Sequence, residues 1–268
     1  MPSLGLSNKA VFSTENLAVE ERHVKDEYPE NYFIPITLES PPQEETLMQN
    51  TLWPEVQKLY GHGYEIFALA ASPDATILAS SCKSTNAEHA QIILWNTSTW
   101  KQIQKLSGHQ LTVTQMRFSP NGQYLLSASR DRRWSLFERQ NLVNDNNKST
   151  AFALTACTDK TNGVHTRIIW SCDWSHDSKY FVTSSREGKV VIWHKTEQTE
   201  HDVGKSSLNG WKSLGILELK NESITAVTFA HALHTNGSYI IALGCESGFI
   251  HVYQFDGKFS LLLSLNKS

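Results

Sequence analysis

Apolar and polar residues alternate in short stretches along most of this chain. The segments at 113–118 (VTQMRF) and 224–229 (ITAVTF) show the period of two residues that is typical of a half-buried β-strand. Asn-Gly pairs at 121–122 and 236–237 follow these segments, and Asn-Gly favours a tight hairpin because both residues tolerate positive φ. No stretch combines a helical period with helix caps. The pattern predicts an all-β protein made of short antiparallel strands.

The strand pattern recurs in four copies, each of which has an aromatic residue at or next to its end, after an apolar run. The copies cover residues 61–96, 108–137, 165–193 and 224–253. They resemble WD40 repeats, which are units of about 40–45 residues with an early Gly-His and a late Trp-Asp. This resemblance implies a WD40-type β-propeller of four-stranded blades. An Asp-Gly pair before residues 259–265 (FSLLLSL) predicts that this segment is the last strand of the fourth blade.

The resemblance also divides the chain into domains. Residues 1–50 are expected to be an N-terminal remnant followed by an acidic linker or insert, because 11–50 contain nine acidic residues and only two basic ones. This insert is either a solvated loop or a regulatory segment that docks a partner. Residues 51–268 are expected to form four blades. These lie at about 59–105, 106–155, 162–215 and 216–265. Since WD40 rings usually have roughly seven blades, the four belong to a larger ring.

Several residues match the buried hydrogen-bonded set that WD40 blades use internally. In the family this set contains a His, a Ser or Thr, an Asp and a Trp. The matching positions here are His62, His109, Asp131, Trp95 and Trp193. Phe137 replaces the Trp of the second copy, and Glu187 stands at the Asp position of the third. The resemblance implies that these residues stabilise blades and take no part in catalysis.

Longer strings are more specific than the repeat itself. Residues 52–67, 92–96, 111–120 and 167–175 resemble the family of WD40-repeat subunits of the Elongator complex. The resemblance implies a non-catalytic scaffold without a cofactor. It would hold the large scaffold subunit and the catalytic subunit during modification of wobble uridine (U34) in tRNA. The alternative function is a free-standing WD40 adaptor that binds peptide motifs in signalling or protein turnover. The expected compartment is the cytoplasm, with the nucleus as a second one.

Basic residues cluster in the turns of the second and third copies. In a propeller these turns emerge on one face, so Arg130, Arg132, Arg167, Arg186 and Lys189 are expected to form one patch. Guanidinium groups suit phosphate because they donate two hydrogen bonds in a fixed geometry. The patch either contacts tRNA or an acidic partner, or is neutralised by Asp131 and Glu187 of neighbouring turns. Trp134 and Trp170 lie nearby and could offer stacking faces, although Trp170 fits the core better.

Other chemistry has little support in the sequence. The chain of 268 residues has a formal charge of −3, which excludes a strong overall attraction to nucleic acid or to an anionic membrane. No apolar run is long enough to span a membrane. The phosphate-binding loops, zinc-protease motifs and nucleophile elbows of common enzymes are missing, so we expect no enzyme and no small-molecule substrate. His231 and His234 are expected to be solvated rather than metal ligands. The four cysteines form no CxxC pair and are expected to be reduced core thiols.

Overall fold

A computed structural model describes residues 57–144, 147–196 and 207–266. Within these ranges, sixteen β-strands form four antiparallel sheets of four strands each. Each sheet uses four consecutive strands in chain order. Sheet 1 contains β1 (Ile66–Ala71), β2 (Ile77–Cys82), β3 (Ile92–Asn96) and β4 (Gln102–Leu106). Sheet 2 contains β5 (Val113–Phe118), β6 (Tyr124–Ser129), β7 (Trp134–Asn144) and β8 (Asn147–Cys157). Sheet 3 contains β9 (Ile169–Trp174), β10 (Tyr180–Ser185), β11 (Lys189–Lys195) and β12 (Trp211–Glu218). Sheet 4 contains β13 (Ile224–Phe229), β14 (Tyr239–Cys245), β15 (Ile250–Phe255) and β16 (Phe259–Leu265). The all-β, partial WD40 propeller predicted from the sequence is confirmed.

The sheets stack through their first strands. β1 lies against β5, β5 against β9, and β9 against β13, as in the inner strands of a propeller. Three apolar clusters fill the spaces between successive sheets. Side chains also bridge the inner strands: Gln115 Oε1 accepts a hydrogen bond from the Cys172 amide at 2.9 Å, and Ser171 Oγ accepts one from the Val227 amide at 3.0 Å. Each sheet is therefore joined to the next by a buried apolar layer or by hydrogen bonds at its inner edge.

The predicted hairpin turns are present between the first and second strands of sheets 2 and 4. Only the glycine of each Asn-Gly pair has positive φ, +70° for Gly122 and +82° for Gly237, so the expectation that both residues would adopt it is wrong; glycine enters this region without steric cost. Ser178 takes the same position in sheet 3 with φ +62°. The predicted last strand is also present, as β16. These local signals located the strand ends because each turn demands a particular backbone conformation.

The β7–β8 hairpin is longer than its counterparts in the other sheets. Each of its strands has 11 residues, against 5 in each of β3 and β4. The Gln104 side chain of sheet 1 binds the middle of β8, because Nε2 donates to the Phe152 carbonyl and Oε1 accepts from the Phe152 amide, both at 2.9 Å. The amide of Gln104 thus imitates one step of strand pairing between the outer edges of two sheets.

The two end sheets expose apolar side chains. On β1, Phe67 and Leu69 are 47% and 59% exposed, and on β16 Leu261 is 55% exposed. In a closed propeller such faces are covered by neighbouring blades. The expected remnant and acidic insert at 1–50 lie outside the described residues. No helix of the described part of the chain is both long and apolar enough to cross a membrane.

Candidate basic interface

The turn between β6 and β7 displays three arginines. The Arg130 amide donates to the Thr112 carbonyl at 3.0 Å, and the Arg132 amide donates to the Ser129 carbonyl at 3.2 Å. The equivalent turn of sheet 3 is built in the same way, with the Arg186 amide donating to the Ile168 carbonyl at 2.9 Å. The repeat therefore places these arginines at matching positions on two adjacent sheets.

Asp131 lies among the three arginines but is bound by other groups. Its Oδ2 lies 3.1 Å from His109 Nδ1 and accepts from the Gln110 amide at 3.0 Å, while Oδ1 accepts from the Arg133 amide at 3.0 Å. Burial acts to raise the pKa of Asp131, but the hydrogen bonds from His109 and the two amides outweigh it and lower this pKa. The carboxylate is thus a structural acceptor for its own blade.

A groove with a volume of about 860 Å³ opens beside this turn. Its walls come from residues 85–87, 110–111, 130–133 and the loop that leads to sheet 3. Its charged lining consists of Arg130, Arg132, Arg133, Lys160, Asp131 and Asp159. Asp159 accepts hydrogen bonds from Thr161, Ser207 and Asn162, which lower its pKa. Four cationic side chains therefore face two carboxylates that already have internal partners.

The structure divides the five basic residues predicted from the sequence. Arg130 and Arg132 line the groove. Arg167, just before β9, and Arg186, in the β10–β11 turn, are exposed and do not line it. Lys189 points elsewhere: its Nζ lies 3.4 Å from Glu218 Oε1 and donates to the Val164 carbonyl at 3.3 Å. Arg133 and Lys160 are the further cations of the groove, and Lys160 had no signal in the repeat because it lies in a connecting loop.

The arginines of the two turns are not neutralised by neighbouring acids. Among the described residues, none of Arg130, Arg132, Arg133, Arg167 and Arg186 forms an ion pair. The two acids that were the expected partners are occupied by histidines, as Asp131 contacts His109 and Glu187 contacts His165. Of the five predicted basic residues, only Lys189 is therefore ion-paired within the described chain, and its partner is Glu218 rather than Asp131 or Glu187.

The suggestion that Trp134 offers a stacking face is wrong. Its side chain is fully buried, and its ring packs edge-on against Phe181 and Trp193, each at a centroid distance of 5.0 Å. Sheet 3 covers the side of β7 on which this ring lies. Trp170 is partly buried and does not line the groove.

Histidines anchor three of the four sheets; His109 and His165 are buried and His62 is half-buried. In each, a His Nε2 contacts a hydroxyl that lies 18 residues later: His62 with Ser80 at 2.7 Å, His109 with Ser127 at 2.8 Å and His165 with Thr183 at 2.8 Å. The tryptophans of sheets 1 and 3 complete the sets, since Trp95 Nε1 donates to Ser80 at 2.7 Å and Trp193 Nε1 donates to Thr183 at 2.9 Å. The constant spacing of 18 residues was the signal by which Ser80, Thr183 and His165 could have been found.

Sheet 2 replaces the tryptophan contact with a backbone contact. Phe137 has no ring donor, and Ser127 Oγ donates instead to the Ser135 carbonyl at 3.1 Å. In sheet 3, Glu187 accepts from the amide and the hydroxyl of Thr166, with His165 Nδ1 at 3.5 Å. Burial acts to raise the pKa of Glu187, but these contacts lower it to about 2. All these groups hold loops onto blades.

The described residues offer little else for chemistry. They contain no group of three or more His, Cys, Asp or Glu side chains placed to hold a metal ion. His231 and His234 are exposed. The four cysteines are free thiols, of which only Cys157 is partly accessible. The basic groove is the candidate binding surface of the described residues.

Comparisons with known proteins find the same repeats, and they also find relatives that match nearly the whole chain. The family profile described as WD domain, G-beta repeat matches residues 53–96, 100–138 and 157–194. Elongator complex protein 2 of Drosophila melanogaster is 65% identical over all of this chain and 33% of its own length. The human protein of that name is 48% identical over 94% of this chain and 31% of its own length, and the Saccharomyces cerevisiae protein is 37% identical over 100% and 32%. The chain thus spans about a third of the length of these curated relatives. With similarity that extends along the whole chain and a fold of stacked WD40 blades, the chain belongs to the Elongator complex protein 2 family.

Proposed function

We propose that this chain acts as a non-catalytic scaffold within an Elongator complex and supports modification of the wobble uridine of tRNA. The observation that carries the proposal is the similarity of the whole chain to proteins named as subunit 2 of that complex. The architecture supports it as well, because the four stacked four-stranded sheets are those of a partial WD40 propeller. The partners would be the large scaffold subunit and the catalytic subunit.

The assembly test uses the complete protein in its own cells. An affinity-tagged copy is purified at native abundance and run on a sizing column, followed by mass spectrometry. The expected result is co-migration with a fixed set of Elongator subunits in a large assembly. If the protein instead elutes as a monomer with transient peptide partners, the scaffold proposal is wrong and the WD40 adaptor is favoured.

The second part of the proposal is a tRNA contact at the basic groove. Arg130, Arg132, Arg133 and Lys160 line it, and Arg167 and Arg186 stand at its border. Unpaired guanidiniums and ammonium groups bind phosphate oxygens and release counterions, so the affinity depends steeply on salt. The local surplus of cations matters more here than the overall charge of −3, since the Debye length is only about 8–10 Å at physiological salt.

Binding of fluorescent tRNA over a range of salt concentrations tests this contact. We expect a linear fall of log affinity with log salt, and a slope that drops by about one unit when Arg130→Ala removes one phosphate contact. Arg186→Ala reports whether the border arginines take part. If the variant that combines Arg130→Ala and Arg186→Ala binds tRNA as tightly as the parent, the proposed tRNA contact is wrong. The proposed scaffold role would not be affected by that result.

A further inference from the structure

Arg132 occupies a backbone position that the equivalent turns give to glycine. In sheets 3 and 4 the matching residues are Gly188 with φ +83° and Gly248 with φ +92°, and Arg132 has φ +71°. The turn hydrogen bond is the same in all three, as the amides of these residues donate to Ser129, Ser185 and Cys245 carbonyls at 3.2, 3.1 and 3.0 Å. A left-handed conformation is unfavourable for a residue with a Cβ. Sheet 2 therefore keeps a large side chain where the fold itself favours none.

No contact within the described chain compensates for this strain. The Arg132 side chain is exposed and forms neither a hydrogen bond nor an ion pair with a described residue. The carboxylate next to it, Asp131, is bound to His109 and two amides. Backbone strain clusters at binding sites, and of the six non-glycine residues with positive φ in the described chain, Arg132 is the one that lines the groove. The side chain lines the groove, so its use is expected there.

The groove offers cations but no aromatic face. No Phe, Tyr or Trp is among its lining residues, and Trp134, which follows the arginines, is fully buried. His165 lines it but is 6% exposed and bonded to Thr183. Proteins that bind single-stranded RNA stack its bases on aromatic side chains, whereas duplex RNA is recognised through its phosphates and 2′-hydroxyls. The lining thus suits a phosphate backbone whose bases are already stacked.

We propose that Arg132, together with Arg130, Arg133 and Lys160, binds the phosphate backbone of double-helical RNA without reading its sequence. The strained conformation of Arg132 is kept because it projects the guanidinium into the groove. This inference rests on the RNA contact proposed above and narrows it to the helical arms of an RNA rather than its loops.

The experiment measures affinity and stability on the same variants of the complete chain. The probes are a fluorescent RNA hairpin stem, a single strand of the same composition, and a polyglutamate peptide. The variants are Arg132→Gly and Arg132→Lys. Lys258→Ala is the charge-matched control, because Lys258 is exposed on the β15–β16 hairpin and does not line the groove.

We expect the stem to bind more tightly than the single strand. Arg132→Gly should weaken stem binding about tenfold and reduce the salt slope by about one unit, with a melting temperature equal to or above that of the parent. Arg132→Lys should retain part of the affinity, and Lys258→Ala nearly all of it.

The contrary results are distinct. A melting temperature lowered by Arg132→Gly would show that Arg132 stabilises the fold, which contradicts the proposal. Tighter binding of the single strand would refute the preference for double-helical RNA but not the proposed tRNA contact. Binding of polyglutamate but of neither RNA would overturn both RNA proposals in favour of an acidic protein partner. Binding of none of the three probes would also overturn both.

Discussion

The hydroxyl of Thr183 is expected to stabilise sheet 3 more than the methyl group on the same side chain. Thr183 is fully buried, and its Oγ1 accepts from Trp193 Nε1 at 2.9 Å and contacts His165 Nε2 at 2.8 Å. Thr183→Val preserves the volume but leaves an indole N–H and an imidazole nitrogen buried without a partner. Each such orphan costs about 1–3 kcal/mol, and the added methyl returns about 0.8 kcal/mol. The net loss is expected to lie between about 1 and 5 kcal/mol, with a central value of about 3 kcal/mol.

The matched control is Thr183→Ser. This variant keeps both hydrogen bonds and loses one buried methyl group, for which a cost of about 1 kcal/mol is expected. Unfolding in urea, followed by tryptophan fluorescence at pH 7, gives both free energies. We expect the free energy of unfolding to be highest for the parent, lower for Thr183→Ser and lowest for Thr183→Val. If the valine variant were as stable as the serine variant, apolar packing would dominate at this position and the hydrogen-bonded set would contribute nothing.

Further predictions concern acid sensitivity, thiol access and backbone conformation. The pKa of Glu187 is depressed from 4.5 to about 2. Its contribution to stability is therefore fully present above pH 4.5 and is lost as the pH falls towards 2. Glu187→Gln should reduce the loss of stability at acid pH, and an unchanged stability–pH curve would contradict this. In alkylation of the native protein read by mass spectrometry, Cys157 should react before Cys172, since the latter is fully buried and burial raises its pKa; simultaneous labelling would argue against the packing described. Gly188→Ala should lower stability by at least about 2 kcal/mol, because a Cβ there lies 2.1 Å from the Leu219 carbonyl oxygen. Gly237→Ala, at a similar φ of +82° with no atom within 4 Å, should cost only about 1 kcal/mol, and equal losses in thermal melts would refute the steric argument.

The alternation of residues and the turn signals were sufficient to predict the strands. Asn121 and Gly122 lie in the turn between β5 and β6, where few residues accept the positive φ that Gly122 adopts. The family resemblance then supplied the pairing of these strands into blades. The alternation and the turn signals are local properties of the chain, so they do not depend on how the sheets pack together.

The contents of the groove were only partly predictable, because they depend on how sheets stack. Trp134 and its neighbour Ser135 are both buried, since both faces of β7 are covered, and alternation therefore gave no sign of exposure. Lys189 pairs across the strands with Glu218, a register set only after the long connection between β11 and β12. Lys160 reaches the groove from a loop whose course no local pattern encodes.

The inner-edge bridges between sheets have a consequence for how such a chain unfolds. Each described sheet packs against the next sheet in the row. The protection of backbone amides against hydrogen exchange should therefore differ from sheet to sheet instead of being uniform. Where no further blade covers them, the two end sheets, which expose Leu69 on β1 and Leu261 on β16, would open first and most often. Sheets 2 and 3, which carry the arginines, would exchange most slowly. The basic groove would therefore keep its shape while the end sheets open and close.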